Sequence, residues 1–365
     1  MANRCVLRGM MAVVAALLLL CGAPAPKAVR AAGPMPAPAA GYKVLNPIVR
    51  GNLALFPVVA AKTFDTSQLL TLDEGIRSGQ VTISENGARP AMLHPGQRGP
   101  VRNAGAQVNQ LVLYNDSSRP LLLLAGEIVT GGQQDRVIGS DRIVPAKSGP
   151  IDLSVFCVEP GRWTGATPEF GSLKGQMAQP EVRAPAMVDK DQQAVWDNVG
   201  RANAKAAAQL STTESVTVSG MTSYAKVFDS APVKQVINNY GGLDTEQSAL
   251  KELRAAGASG VIIAVNGRVL WADLFASPDL LAKYWPKLFN SYVAEAVTAG
   301  RGSGSPSLER AQEWIAHLDG THEVAETEPG VYRRTDVTGD GYRVFELTSL
   351  TQGTNFTVHI TKIAK

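Results

Sequence analysis

Two short stretches hold the residue types from which a site could be built. Residues 126–136 read GEIVTGGQQDR and residues 155–163 read VFCVEPGRW. Together they supply Glu127, Gln134, Asp135, Arg136, Glu159, Arg162 and Trp163 as a candidate binding cluster. Glu127, Asp135 and Glu159 are also candidate acid/base groups, because two carboxylates at suitable spacing can share proton transfer if one is desolvated. Gly131-Gly132 between two β-like arms predicts a two-residue hairpin. That register sets Thr130 against Gln133, Val129 against Gln134, Ile128 against Asp135 and Glu127 against Arg136. Opposite charges across a ladder stabilise it by roughly 0.2–1 kcal/mol. Glu127 and Arg136 therefore have two readings, a structural ion pair or part of a polar cluster that holds a ligand at the turn.

Cys157 invites a nucleophile reading, with Glu159 and Arg162 close in sequence. The alternation argues against it: Ile151, Leu153, Val155 and Cys157 share one parity, which points the thiol into a core and disfavours the thiolate. The histidines are His94, His317, His322 and His359, and none lies in the two motifs. His317 and His322 stand near Asp319 and Glu323, but without HExxH or CxxC spacing they read as solvated loop residues. DVTGDG at 336–341 lacks the glutamate of a calcium loop and reads as a hairpin turn. Gly300, Gly302 and Gly304 follow no strand and make no dinucleotide fingerprint. No metal and no cofactor is implied.

These groups must be positioned by the elements around them. LALFPVV at 53–59 suits an edge strand, because Pro57 cannot donate to a ladder. A weak helix is expected within 65–79, strands at 81–84, 108–114, 121–125, 142–146 and 151–159, and a turn at 147–150. This half is mostly β. Residues 164–191 read as a Gly/Pro-rich connector. Val195, Trp196, Val199, Ala202, Ala206 and Leu210 then share one face of a helix over 192–210. Further helices are expected at 233–240 and 247–256, followed by a hairpin, 260–265 and 268–274, across Asn266-Gly267. Ser277-Pro278-Asp279 starts a long helix, capped by the hydroxyl, with Pro286 expected to kink it. A helix at 307–318 precedes a meander of 331–337, 342–347 and 355–363.

The chain of 365 residues is 45% hydrophobic and 18% charged, which fits a folded globular protein. Arg4 and Arg8 precede an apolar run from Met10 to Leu20, too short to span a bilayer, and small residues follow. Residues 1–31 therefore read as a signal peptide cleaved after Ala31, with a lipoprotein at Cys21 as a minor alternative. That segment carries four of the 35 basic residues and no acid, which leaves 31 basic against 32 acidic side chains. A nearly neutral body excludes a nucleic-acid footprint. The exported chain keeps only Cys157 of Cys5, Cys21 and Cys157, so no internal disulfide can form.

Several pieces carry a resemblance: LALFPV (53–58), LTLDEGIRSG (70–79), LLLLAGEIVTGGQQDR (121–136), IVPAKSG (143–149) and VFCVEPGRW (155–163). With ASGVIIAVNGRVLWADLFASPDLLAKYWPKLFNSY (258–292), they resemble the ARG and rhodanese-phosphatase-superfamily-associated protein domain, a bacterial domain of unknown function. The resemblance implies an α+β domain and no established reaction or catalytic residue.

The expected architecture is α+β: a mostly antiparallel β half, helical segments, and a C-terminal β-meander packed against it. The signal peptide (1–31) and a flexible leader (32–41) precede a family domain over 42–300, made of a β-rich part (42–163), the connector (164–191) and a helix-rich part with a hairpin (192–300). A helix and the meander follow over 301–365, in the same globule. The expected function is that of a periplasmic or secreted, non-catalytic module binding a small molecule or an envelope protein, with no transmembrane segment in the mature chain. The alternative is a hydrolase using the motif carboxylates.

Overall fold

The Pro57 run is a strand with neighbours on both sides, not an edge. The computed structural model describes residues 41–85, 110–161, 169–240, 245–300, 302, 304, 306–351 and 355–365, the side chains of 169 and 172–175 excepted. The expected signal peptide, residues 32–40 of the leader, His94, Arg162 and Trp163 lie outside the described residues. β1 (Tyr42–Val44) and β2 (Ile48–Arg50) share one side of β3 (Leu53–Ala60), and residues 260–265 take the other. Val44 pairs with Val58 and Ile48 with Leu55, so the ladder on that side is broken opposite Pro57. Its carbonyl still accepts from Leu45 N at 2.9 Å, but no N–H is needed there.

β4 (Leu70–Thr71) leads into α1 (Leu72–Arg77), a single capped turn and a half in place of the broader helix expected. Thr71 and Glu74 form a capping box that sets its start. Then come β5 (Val81–Glu85), β6 (Gln110–Asn115), β7 (Leu121–Leu123), β8 (Glu127–Gly131), β9 (Arg136–Ile138), β10 (Arg142–Val144) and β11 (Ser148–Cys157). The segment read as a connector is structured. It supplies β12 (Glu169–Met177), which pairs with both β5 and β8. In the order β11-β6-β5-β12-β8-β9, these strands close a barrel. Ile83, Leu111, Leu113, Val129, Leu153, Val155 and Phe170 belong to its apolar core. EFGSLKGQM lacks β alternation because its strand character comes from two pairing neighbours, not from its own residues. β4, β7 and β10 form a separate three-stranded sheet.

α2 (Pro180–Ala184) and a π-helical turn at Pro185–Asp189 complete the former connector. α3 (Gln192–Ala207) buries Val195, Val199, Ala202 and Ala206, the face read from its periodicity. α4 (Thr212–Ser219), α5 (Tyr224–Asp229), α6 (Ala231–Asn238) and α7 (Thr245–Ala255) follow. β13 (Gly260–Val265) and β14 (Arg268–Phe275) make the expected hairpin, with Asn266 at φ 51° and Gly267 at φ 78°. α8 (Pro278–Thr298) is capped by Ser277, whose hydroxyl accepts from Leu280 N at 3.1 Å, and it continues through Pro286. After α9 (Leu308–Ala316), the meander has one strand more than its pattern showed: β15 (Thr321–Glu328), β16 (Tyr332–Gly339), β17 (Tyr342–Ser349) and β18 (Phe356–Ala364). His322 thus lies on a strand, not in a loop.

The large sheet runs β1-β3-β13-β14-β18-β17-β16-β15, with β2 beside β3. Alternation divides its core: Leu53, Leu55, Val261 and Ile263 pack with α8, and Ala54, Phe56, Ile262 and Ala264 pack with α9. The architecture is α+β with mostly antiparallel sheets, as expected.

Candidate functional site

The GEIVTGGQQDR turn is wider than two residues. Ile128 pairs with Val137 and Val129 with Arg136, a register two residues away from the one expected. Residues 132–135 form the loop, because side chains take up its donors. Asp135 accepts from Gly131 N at 3.3 Å, and Glu85 of β5 accepts from Gln133 N at 2.8 Å. Gly132 sits at φ 51°, and a Cβ there would fall 2.3 Å from the Phe170 ring. The even slip keeps every side chain on its expected face but changes its partner, so Glu127 and Arg136 are not cross-strand neighbours.

Glu127 turns instead to α8. Its carboxylate lies 2.5 Å from Lys287 Nζ and accepts from Leu124 N at 2.7 Å. Asp73 of α1 holds the same ammonium at 2.8 Å. Glu127 is fully buried, and burial pushes its carboxyl up against the pull of Lys287. Burial likewise opposes the Lys287 charge, but Glu127 and Asp73 more than offset it and raise that group. The trio ties barrel, α1 and α8 together.

Gln134, Asp135, Arg136 and Glu159 do meet, around the start of α5. Asp135 accepts from Ser223 Oγ at 2.9 Å, and Glu159 pairs with Lys226 at 2.8 Å. Asp135 N donates to the Glu159 carboxylate at 3.3 Å, and Gln134 Nε2 donates to the Glu159 carbonyl at 3.1 Å. Arg136 Nη1 donates to Gln134 Oε1 at 3.3 Å, and all four residues are buried. Cys157 lies beneath them with no exposed surface, and burial raises its thiol. Its backbone is bracketed by the Gln192 amide, at 2.8 and 2.9 Å.

A third polar group went unread in the sequence. Asp273 of β14 accepts from both Arg183 Nη atoms at 3.2 Å, from Trp271 Nε1 at 3.0 Å, from Thr361 Oγ1 at 3.1 Å and from the Tyr292 hydroxyl. His359 Nε2 lies 3.3 Å from the same carboxylate, and His359 Nδ1 lies 2.6 Å from Asp141. Asp141 in turn accepts from Ala125 N at 2.7 Å. Arg183, Asp273 and His359 have no exposed surface. Burial opposes the Asp273 charge, yet Arg183 and His359 hold its carboxyl far below the usual range. Burial also opposes the imidazolium, but Asp141 and Asp273 raise His359 to about 9. Gly126 is required beside this group: it sits at φ 93°, and a Cβ would fall 2.5 Å from Arg183 Nε. The available signal was one charge in the apolar run VLWADLFA, since an acid there must find buried partners.

An open pocket of about 540 Å³ lies elsewhere, where the β13–β14 turn, α9, the β16–β17 turn and the end of β18 converge. Arg268, Arg310, Trp314, Tyr342 and Lys362 line it, and Glu313 and Asp340 add two acids. A second pocket of about 290 Å³, bounded by Met177, Tyr224, Phe228, Ile237 and Ala294, sits between α5, α6 and α8. Among the described residues, no charged group of the two motifs lines either pocket. Among the described residues, no set of three or more His, Cys, Asp or Glu side chains is placed to hold a metal ion.

A family model for the ARG and Rhodanese-Phosphatase-superfamily-associated Protein domain matches residues 41–362. The chain belongs to that family. No curated protein and no solved structure matches it. The match spans both motifs, the Asp273 group and Lys362, so the family domain runs through barrel, helices and meander alike, beyond the 42–300 expected for it. Within this family domain, no helix among the described residues is long and apolar enough to cross a membrane.

Proposed function

We propose that this family member is an exported, non-catalytic module that binds a small molecule in the pocket beneath α9. One contrast carries the reading: Glu127, Asp135, Arg136 and Glu159 are buried and engaged with each other and with α5 and α8, whereas the pocket is open and lined by both polar and aromatic groups. Its volume of about 540 Å³ falls in the range of small-molecule sites. The hydrolase reading asks for a carboxylate facing a substrate, and Glu127, Asp135 and Glu159 are each engaged inside the protein.

Thermal shift of the purified protein against metabolites and glycans tests the binding, because a ligand of the folded state raises the melting temperature. A hit whose effect disappears in Arg268→Ala with Arg310→Ala supports the pocket. A hit unaffected by those changes moves the site elsewhere. Export from the basic, apolar leader at 1–31 is checked by intact mass: the secreted protein should begin near Ala32, and retained residues 1–20 or a lipid on Cys21 would refute that.

A further inference from the structure

Among the described residues, no carboxylate supplies a counter-charge to the buried cation Lys362. The residue has no exposed surface although its side chain lines the pocket. Its ammonium donates to the carbonyls of Trp314 and His317, at the end of α9. It also stands 4.5 Å from the centre of the Trp314 ring and 3.9 Å from that of Tyr342. An ammonium has three donors, and two of Lys362's go to these carbonyls. Among the described residues no carboxylate forms an ion pair with it, in contrast to Lys287, which has Glu127 and Asp73. Burial accordingly lowers Lys362 to about 8.

A buried charge left uncompensated is costly, and the usual remedy is an opposite charge close by. The lining as a whole carries more basic than acidic side chains, with Arg268, Arg310, Lys362 and Lys365 against Glu313 and Asp340, and Arg268 of β14 and Arg310 of α9 are exposed. Guanidinium groups match carboxylate and phosphate oxygens in pairs, and the half-buried faces of Trp314 and Tyr342 suit a planar body.

We infer that the pocket beneath α9 takes a small organic anion, whose carboxylate or phosphate supplies the counter-charge that Lys362 lacks while its body lies against Trp314 and Tyr342. This rests on the ligand-binding reading above and adds the chemical class.

The full exported chain is titrated with benzoate, inorganic phosphate and neutral N-acetylglucosamine. Two signals are followed: the Lys362 ammonium by NMR, and the fluorescence that is lost in Trp314→Phe. Benzoate or phosphate should move both signals and raise the Lys362 titration midpoint. Arg268→Ala with Arg310→Ala, on exposed side chains that leave the fold intact, should weaken that binding about tenfold. Benzoate acting without phosphate assigns a carboxylate on a planar body, and phosphate acting alone assigns a phosphate group. If the neutral sugar moves Trp314 and neither anion reaches Lys362, the anion inference is overturned while the ligand-binding reading stands. If none of the three moves either signal, both are overturned.

Discussion

His359 Nδ1 lies 2.6 Å from the Asp141 carboxylate, and this contact pins β18 of the large sheet to the loop between β9 of the barrel and β10 of the three-stranded sheet. With Arg183 and Asp273 it completes a buried set of two cations and two anions. Such a set is neutral only while His359 is protonated. Removing that proton leaves one carboxylate charge uncompensated in a buried site.

Stability should therefore depend on pH through His359. Its folded-state value of about 9 lies above the ordinary 6.5, so its contribution is complete below 6.5 and is lost as pH rises through 9. The full shift corresponds to about 3 kcal/mol. Lys362 works in the opposite sense, its lowered value making stability rise from about 8 towards 10.5. Glu295, pushed up to about 7 by burial, adds its own loss up to that pH, so the His359 effect is read most cleanly between pH 7 and 8. Urea unfolding should show stability falling across that window in the wild type and a much flatter profile in His359→Gln. Equal slopes in both proteins would show that the imidazolium is not held as described.

Gly126→Ala should cost about 2–4 kcal/mol, because the left-handed backbone and the collision with Arg183 add. Its Cβ would meet the Nε, Cδ and Cγ atoms of a guanidinium side chain already fastened to Asp273. Gly79→Ala is the control: its φ of 68° is similar, but nothing stands within 4 Å of the added atom. It should cost only the backbone strain, about 1–2 kcal/mol. Chemical denaturation of both variants gives the difference, and equal losses would remove the steric argument.

Glu127 and Lys287 should be strongly coupled. Lys287→Met, which leaves both Glu127 and Asp73 without their cation, should destabilise the fold by about 3–5 kcal/mol, and Glu127→Gln, which leaves Asp73 on the ammonium, by less. The double variant should recover part of that loss. A cycle on Glu127 and Arg136 should instead be close to additive, within about 0.5 kcal/mol, because Arg136 pairs with Val129 rather than with Glu127. Strong coupling in that second cycle would restore the tight hairpin.

Cys157 should react slowly with a thiol reagent in the native protein and rapidly after denaturation. It has no exposed surface, and burial raises its thiol. The reaction can be followed by mass spectrometry over time. Rapid native labelling, with loss of ligand binding, would place the sulfur at a site.

Much of this protein was legible because the governing interactions are local. Ser277 before Pro278 announces α8, Asn266-Gly267 announces the β13–β14 hairpin, and the apolar face of α3 follows from a helical period alone. The inward parity of Cys157 is likewise a property of one strand. Tertiary structure decided what depends on distant partners. β12 is a strand because β5 and β8 flank it, and Pro57 is tolerated inside a sheet because β1 and β2 leave a gap beside it. The candidate site divides in the same way. Gln134, Asp135, Arg136 and Glu159 are close in two short motifs and do cluster, since the pairing of Arg136 with Cys157 brings the residues flanking β9 and β11 together. Glu127 was assigned the wrong partner, because Lys287 lies 160 positions away and a turn register can shift by two residues without changing which face is buried. His359 and Asp141 are 218 positions apart, and Lys362 reaches its pocket from the end of another strand. No periodicity links such residues; only the closing of the barrel onto the sheet brings their charges within reach, where burial makes each pairing matter.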